Sequence, residues 1–317
     1  MALQFGVLVP QGWTMDLAGI KDPVEAYETM SKVAQTAEEV GFSSAWLVDH
    51  FHTIPHPSQE VTFECWMSTA ALARDTRIIR IGQLVTCNSY RHPALLAKMV
   101  STVDVLSHGR LNVGIGAGWD EDEYRAYSYG YAYPDGSERL RQLREAVQVM
   151  LAMWKEQETH FEGTYYQVRG AINQPRGIQQ PHIPLLIGGD GEQVTLKLVA
   201  QYADACNVGD DPATVRQKLA VLKQHCKTVG REYESIHRTS TTFCLMADSD
   251  EQARALLPAE RKARIGNKVT TALIGSPETI RQRLTAYEEA GVQELVLRFV
   301  DGTNLEALRR FARECIA

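Results

Sequence analysis

Closely spaced cysteines are missing from this sequence. The chain of 317 residues has six cysteines and contains no Cys-x-x-Cys pair. In a chain of this length, wide spacing indicates buried free thiols and argues against both a disulfide framework and a zinc knuckle. The six are Cys65, Cys87, Cys206, Cys226, Cys244 and Cys315.

Clustered positive charge is missing as well. The formal net charge is -6, and the lysines and arginines are scattered along the chain. We therefore expect no binding surface for nucleic acid or for an anionic membrane. The first residues, "MALQFGVLVPQGW", have no positively charged flank and reach Pro10 after a short apolar run. Neither a signal peptide nor a membrane span is expected there, so the sequence predicts a cytoplasmic protein.

Apolar residues, by contrast, make up 44% of the chain, enough for a large core. Strand-like runs alternate with helical runs from end to end, as in a parallel sheet covered by helices. Eight strands, each followed by a helix, predict an α/β fold, the TIM (β/α)8 barrel, as a single domain over residues 1–317. The predicted strands are "LQFGVLVP", "SSAWLV", "IIRIGQLV", "RLNVGIG", "PLLIGG", "DACNV", "SIHRTSTTFCLMA" and "ELVLRFV".

Two segments interrupt this alternation. Between Thr159 and Pro184 the helical pattern fails, and "THFEGTYYQVRGA" predicts a hairpin inserted after helix four. Residues 248–275 are polar and are expected to form an irregular insertion after strand seven. In a TIM barrel the active site lies at the C-terminal ends of the strands, so the residues that follow each strand are the functional candidates.

The stretch "VDHFHTIPHP" follows the second strand and holds three histidines and an aspartate. A His-x-His pair suggests a metal centre, because imidazole is a common ligand for zinc and iron. Barrel amidohydrolases place such a pair after strand one, add a lysine and two histidines from middle strands, and end with an aspartate after strand eight. Asp301 fits that last place, but no lysine ends strand four and His182 precedes strand five. A catalytic zinc needs three ligands, so we predict no metal and keep a metallohydrolase as the less favoured alternative.

Two strand ends are rich in glycine. "GIGAG" ends the fourth strand and has Trp119 where the third glycine of a dinucleotide-binding fingerprint would stand, so tight turns explain it equally well. "IGGDGEQ" ends the fifth strand and precedes a helix predicted from about Glu192. Free amides at the start of a helix bind phosphate without a basic side chain. Together the two strand ends suggest a phosphorylated cofactor across the barrel mouth, with plain turns as the alternative.

As a set, four segments resemble the luciferase-like monooxygenase superfamily, and most of all its bacterial subfamily of F420-dependent oxidoreductases. The resemblance covers roughly residues 1–245. It implies a TIM barrel that holds a flavin or 5-deazaflavin at the barrel mouth. The segments are "GFSSAWLVDHF", "IGQLVTCNSYRHPALLAKMVSTVDVLSHGRLNVGIGAGW", "FEGTYYQV" and "PLLIGGDGEQVTLKLVAQYADACN".

The resemblance also implies roles for individual residues. In the family pattern matched by "DHF", the aspartate contacts the deazaflavin ring and the histidine lies at its reacting face, which makes Asp49 a cofactor contact and His50 the catalytic residue. A non-prolyl cis peptide supports the ring from behind, at the position of Leu84-Val85. The segments that wrap the cofactor's chain and phosphate correspond to Gly116, Ala117, Gly188, Gly189, Asp190 and Gly191.

One residue departs from the family pattern. Sugar-phosphate dehydrogenases of the superfamily carry an acidic residue, proposed as general acid, where this chain has Trp119. Asp120, Glu121 or Glu123 could take over that role. His52 and His56 lie on a proline-bordered loop, where a solvated position is as expected as a substrate contact.

The resulting hypothesis is an F420-dependent oxidoreductase that moves a hydride between C5 of the deazaflavin and a small organic substrate. The nearest alternative is a two-component monooxygenase that binds FMN in the same crevice. A barrel that binds a flavin without catalysis is a third, since fold does not fix function. The resemblance further implies a homodimer and a flavin or F420 reductase as functional partner.

Overall fold

The computed structural model of the chain describes residues 3–127, residue 129 and residues 133–316. Its strands are β1 (Gln4–Leu8), β2 (Ser44–Leu47), β3 (Arg80–Gln83), β4 (Thr86–Cys87), β5 (Leu111–Gly116), β6 (Thr159–Glu162), β7 (Gln167–Ala171), β8 (Leu185–Gly188), β9 (Ala205–Asn207), β10 (His237–Met246), β11 (Leu273–Gly275) and β12 (Glu294–Phe299).

The α-helices lie between and after these strands. They are α1 (Pro23–Glu39), α2 (Cys65–Asp75), α3 (Pro93–Leu106), α4 (Glu121–Ala126), α5 (Gly136–Lys155), α6 (Thr195–Tyr202), α7 (Pro212–Val229), α8 (Asp250–Leu256), α9 (Ala259–Ile265), α10 (Pro277–Glu289) and α11 (Leu305–Cys315). In the part of the chain that the structure describes, no helix has the length and apolar character needed to cross a membrane.

Eight parallel strands form a closed ring in the order β1, β2, β3, β5, β8, β9, β10 and β12. β10 pairs with both β9 and β12, and β12 pairs with β1, which closes the barrel. The TIM barrel predicted from the alternation of strands and helices is confirmed. The C-terminal ends of all eight strands therefore meet at one mouth.

Side-chain caps set the starts of several helices. Asp22 and Asp211 accept backbone N–H bonds at the starts of α1 and α7, and each is followed by a proline that suits the first helical turn. α2 begins at Cys65, where Glu64 caps it. One start differs from the expected one, because the helix expected near Glu192 begins at Thr195.

The two predicted insertions are both present. β6 and β7 form the expected antiparallel hairpin after α5. The expectation that residues 248–275 are irregular is wrong in detail, because they contain α8, α9 and the short strand β11. These elements are held by a small apolar cluster that includes Ala253, Ile265 and Ile274. Helices of seven residues are too short to show a clear apolar periodicity.

The main core lies between the barrel strands and the surrounding helices. A second, smaller cluster contains Trp46, Leu186 and Val296, which alternate with core residues along their strands. Because successive side chains of a strand point to opposite faces, this cluster fills the barrel interior. Leu84 and Val85 pack against it from the side of the mouth. The interior packing thus supports the segment that follows β3.

Candidate functional site

A cavity of about 170 Å³ lies at the C-terminal ends of the first barrel strands. The residues that form it come from the loops after β1, β2, β3 and β5, the place where a TIM barrel carries its active site. It is lined by Trp13, Val48, Asp49, His50, Leu84, Val85, Thr86, Cys87, Tyr90, Gly118, Trp119 and Asp120.

A different cavity, of about 330 Å³, is lined by residues from the N-terminal ends of the strands. Its charged groups are bound to their neighbours. Glu294 accepts hydrogen bonds from Trp46 Nε1 at 3.3 Å and from Ser44 Oγ, and its second oxygen lies 3.0 Å from His237 Nε2. Hydrogen bonds at the N-terminal end of a TIM barrel stabilise the fold, whereas the active site lies at the C-terminal end. We therefore place the functional site at the C-terminal end.

His50 is held by Glu123 from a distant part of the chain. His50 Nδ1 lies 2.9 Å from Glu123 Oε2. Because Glu123 is a carboxylate that only accepts, Nδ1 donates, and in the neutral imidazole the lone pair then lies on Nε2. The arrangement fixes one tautomer of the imidazole and presents its basic nitrogen to the cavity.

Glu123 binds four donors with its two oxygens. Oε1 accepts from the backbone N–H groups of Phe51 at 2.6 Å and His52 at 3.3 Å, and Oε2 also accepts from Tyr90 Oη at 2.7 Å. Burial by itself raises the pKa of Glu123, but the hydrogen bond and charge of His50, with those from Phe51 and Tyr90, lower it below the ordinary value overall. The side chain therefore stays ionised although it is buried.

Two tryptophans frame the imidazole. Trp13 stacks on His50 with ring centroids 4.1 Å apart and an interplanar angle of 2°. Trp119 lies beside the imidazole, with its ring centroid 5.4 Å from that of His50 at an angle of 60°. The Arg298 guanidinium lies 5.3 Å from the centroid of the Trp13 ring. The catalytic candidate thus has one face covered by an indole and a second indole next to it.

Asp49 is buried and closely bonded. Arg91 reaches both of its oxygens, at 2.6 and 3.1 Å, and Thr86 Oγ1 and the Cys87 N–H donate to Oδ2 at 2.7 and 2.9 Å. Arg91 also pairs with Glu64. These bonds connect the end of β2 to β4, the segment after the predicted cis peptide. The predicted contact between Asp49 and a cofactor ring stays a prediction.

The structure brings three possible metal ligands together: His50, Asp120 and Glu123. Asp120 uses Oδ1 to cap α4, accepting from the N–H groups of Asp122 and Glu123 at 3.1 Å each. The carboxylate of Glu123 is fully occupied by its four donors. A metal would have to displace the imidazole and phenol donors, so the contacts favour a hydrogen-bonded network at this place.

Leu84-Val85 is a cis peptide bond, as predicted. Val85 fills the space next to two of the predicted glycines. A Cβ atom added to Gly116 would lie 2.7 Å from Val85 Cγ2, and one added to Gly188 would lie 2.8 Å from Val85 Cγ1. Both positions therefore require glycine for packing, whatever else they bind.

A crevice of about 310 Å³ adjoins the cavity and shares part of its wall. The shared residues are Leu84, Val85, Gly118 and Trp119. The crevice extends over the predicted glycine-rich strand ends towards the start of α6. Its remaining lining is Gly116, Ala117, Leu140, Gly188, Gly189, Thr195 and Asn207.

The far end of this crevice has features of an anion site. α6 begins at Thr195 without a side-chain cap, and of its first amides the Leu196 N–H already donates to the Gly191 carbonyl at 3.0 Å. Gly189 has a φ of 128°, a conformation that suits glycine. Asp190 Oδ1 accepts from the Gly209 N–H at 2.8 Å, which ties this loop to the one after β9.

The family model of the luciferase-like monooxygenases matches residues 3–294. The chain belongs to this family. The resemblance expected from the motifs is confirmed, and with it the prediction of an oxidoreductase of the luciferase-like family.

Three proteins are similar to this chain in sequence or in fold. An F420-dependent glucose-6-phosphate dehydrogenase of Microbacterium testaceum is 31% identical over 309 residues, which cover 88% of this chain and 90% of the relative. An F420-dependent secondary alcohol dehydrogenase in complex with an F420-acetone adduct has a TM-score of 0.80 at 21% identity, with 99% and 98% of the two chains covered. The oxygenating constituent of 3,6-diketocamphane monooxygenase from Pseudomonas putida, in complex with FMN, has a TM-score of 0.77 at 17% identity and the same coverage. The two structures show that the fold is shared.

Of the three histidines in "VDHFHTIPHP", only His50 lines either cavity of the mouth. His52 Nδ1 lies 3.2 Å from the carbonyl oxygen of Thr53, and His56 is exposed on the loop. Sequence reasoning named Glu123 only as one of three acids and missed Trp13, Tyr90 and Arg91 as parts of the site. Tyr90 and Arg91 stand inside a matched motif, "NSYRHP", but only the fold shows which carboxylates they bind.

Proposed function

We propose that the protein is an F420-dependent oxidoreductase that moves a hydride between C5 of the deazaflavin and a small organic substrate. The observation that carries the proposal is the junction of two spaces at Leu84-Val85. One contains His50 beside two indole rings, and the other follows glycine-rich strand ends to a helix without a side-chain cap. The similarity to a relative named as F420-dependent over 88% of this chain supports the choice of cofactor.

The crevice residues fit a phosphorylated ring cofactor. The Thr195 N–H at the start of α6 and the N–H groups of Asp190 and Gly191 would hold its phosphate, since helix N-termini bind anions. The N–H groups of Gly189 and Leu196 already donate to backbone carbonyls. Gly116 and Ala117 would lie along its chain, with Leu84 and Val85 behind its ring. When bound, the deazaflavin supplies a site that gives or takes electrons in pairs.

His50 would hold or deliver the proton that accompanies hydride transfer. Its Nε2 carries the lone pair, because Nδ1 donates to Glu123. A hydroxyl group of an alcohol substrate can donate to Nε2, and the imidazolium then formed would be stabilised by the Glu123 carboxylate. Stacking on Trp13 keeps the ring in one orientation and shields it from water.

Glu123 and Asp49 would act as positioning residues. Glu123 orients His50. Because its two oxygens accept four hydrogen bonds, its carboxylate stays ionised and has no proton to donate. Asp49 would hold Thr86 and Cys87 so that the preceding Leu84-Val85 segment keeps its place under the cofactor ring. Of the acids near Trp119, Asp120 lies in the cavity wall, whereas Glu121 is exposed and pairs with Arg125.

The test is a titration of the purified protein with oxidised F420 and, separately, with FMN. We expect tighter binding of F420. Micromolar affinity for FMN without measurable affinity for F420 would replace the proposal with the two-component monooxygenase. If the protein bound neither cofactor, the oxidoreductase and the monooxygenase would both be refuted.

A pair of charge variants tests the location of the phosphate. Thr195→Asp adds a negative charge at the start of α6, and we expect affinity for the bound cofactor to fall at least about tenfold. Gln201→Asp adds the same charge near the other end of this helix and serves as the matched control. Equal affinities for the two variants would place the phosphate elsewhere.

A further inference from the structure

Trp119 is a large apolar side chain left open at the junction of the two cavities. It lines both of them, and 62% of its surface is exposed. Trp13 lies next to it, with the indole centroids 6.5 Å apart. An exposed tryptophan at the mouth of a cavity marks a binding surface more strongly than one on a convex face.

The polar groups around the same cavity are largely bound to one another. Thr86 Oγ1 donates to Asp49 and accepts from Trp66, and Tyr90 Oη donates to Glu123. Burial, followed by the charge of Asp49, raises the pKa of the Cys87 thiol to about 12, so the thiol is neutral at ordinary pH. These side chains have little left to offer a ligand.

The side-chain atoms of the described lining that can contact a ligand include His50 Nε2, the Asp120 oxygen that does not cap α4 and the Trp119 indole N–H. An alcohol hydroxyl can donate its one hydrogen to the lone pair of His50 Nε2, and a carbonyl oxygen can accept from Nε2 when the imidazole is protonated. A polyol brought into this space would leave buried hydroxyl groups unpaired, which costs binding free energy for each group.

From this geometry we infer that Trp119 selects substrates with a flat apolar body, namely aromatic or cyclic secondary alcohols and the matching ketones, over sugar phosphates. The Trp119 indole contacts the flat body, while His50 Nε2 contacts the single oxygen. The inference rests on the proposed function and names the substrate class of the same site.

The reaction balances with the groups already named. The carbinol carbon loses its hydrogen together with the electron pair to the oxidised deazaflavin, and the hydroxyl proton passes to His50 Nε2. The carbon–oxygen bond becomes a carbonyl. The alcohol is oxidised by two electrons and the cofactor is reduced by two, so no further reactant is needed.

The experiment begins with F420 binding to the wild type and to Trp119→Ala, Trp119→Phe and Ile78→Ala. Ile78 is another exposed apolar residue, and it lines neither cavity of the mouth, which makes its variant the control. We expect all four proteins to bind F420 within about threefold of one another. A wild type that binds no F420 overturns the proposed function, whereas a selective loss of F420 affinity in Trp119→Ala shows that the indole covers the cofactor and overturns this inference alone.

Oxidation of 1-phenylethanol and of glucose 6-phosphate is then compared in the loaded proteins. We expect the wild type to prefer 1-phenylethanol. In Trp119→Ala the KM for 1-phenylethanol should rise roughly tenfold while kcat stays within about threefold, because the lost contact stabilises the bound substrate and the transition state equally. Trp119→Phe restores most of the affinity, and Ile78→Ala leaves it unchanged. A preference for glucose 6-phosphate, or an unchanged KM in Trp119→Ala, overturns the inference.

A binding measurement decides the matter even without turnover. Saturation-transfer NMR detects the ring protons of acetophenone when they lie against the protein. We expect the signal with F420-loaded wild type and Trp119→Phe, and its loss with Trp119→Ala. Absence of the signal from the wild type, or an undiminished signal from Trp119→Ala, contradicts the inference while leaving F420 binding intact.

Discussion

Trp13 lies flat against the imidazole of His50, with the two ring centroids 4.1 Å apart and the planes within 2° of parallel. The contact joins the loop after β1 to the end of β2. It covers one face of the imidazole, while Glu123 binds the Nδ1 edge. Nε2 is therefore the ring nitrogen of His50 that is left for chemistry.

Replacement of His50 tests whether it serves proton transfer or metal binding. In His50→Ala, Glu123 keeps three of its donors, so we expect a folded protein that binds F420 as the wild type does. The rate of the chemical step should fall by roughly 10²–10⁴-fold, the usual loss for a positioned acid or base. Single-turnover kinetics and metal analysis of the same samples measure both quantities. Loss of a stoichiometric metal together with activity would instead identify a metal site, since metal binding is linked to folding.

Glu123→Gln tests the orientation of the imidazole. The amide NH2 would donate to His50 Nδ1, which reverses the tautomer and puts a proton on Nε2. We expect the chemical step to slow by about 10²-fold with F420 affinity unchanged. Glu121→Gln, an exposed acid two residues away, is the control and should keep full activity. An equal loss in both variants would remove Glu123 from this role.

The acid stability of the protein should also depend on Glu123. Its pKa is lowered in the folded state, so the stabilisation it gives is complete above the unfolded pKa, near 4.5, and is lost as pH falls through the lower folded value. The free energy of unfolding of the wild type should therefore fall more steeply below pH 4.5 than that of Glu123→Gln. Urea unfolding at pH 3 to 7 gives both slopes. Parallel slopes would show that other carboxylates control acid unfolding.

Loss of the Asp49 charge should destabilise the fold. Asp49→Asn leaves the largely buried Arg91 with Glu64 as its remaining partner, and breaking such a buried pair costs about 3 kcal/mol. Glu64→Gln removes the more exposed partner, and the exposed share of that pair limits the expected cost to about 1 kcal/mol. Urea unfolding compares the two variants. A smaller effect of Asp49→Asn than of Glu64→Gln would contradict the assignment of the stronger pair.

The glycines beside Val85 should not tolerate a methyl group. Gly188→Ala places a Cβ 2.8 Å from Val85 Cγ1, and such overpacking costs about 1–3 kcal/mol. Gly136→Ala is the control, because its nearest neighbour would be an arginine nitrogen 3.8 Å away. Thermal unfolding of both variants, and of Gly188→Ala combined with Val85→Ala, measures the effect. Additive losses in the double variant would mean that the two side chains do not compete for space.

The barrel could be predicted from sequence because its longer strands and helices have recognisable apolar patterns and start signals within a few residues of chain. Asp22 and Asp211, each followed by proline, mark helix starts within a few residues. The seven-residue helices between residues 248 and 275 were missed, since they are buried in a small cluster that also draws on β10, β11 and Val300. Short elements of this kind depend on tertiary packing.

The site was predictable only in part for a related reason. His50 stood out because it follows a strand in a motif known from the family. Its partner Glu123 lies 73 positions later on the six-residue α4, and Trp13 lies on the loop after β1. No local pattern joins these residues. Their proximity follows from barrel closure, which brings the ends of distant strands to one mouth.

The packing of Val85 against Gly116 and Gly188 limits how these three positions can change during evolution. Its two methyl groups occupy the volumes that side chains at those positions would need. The three sites therefore share one fixed volume, and a larger residue at either glycine becomes acceptable only when position 85 shrinks. Among natural relatives we expect side-chain sizes at these sites to vary inversely, so that substitutions there arise in compensating pairs.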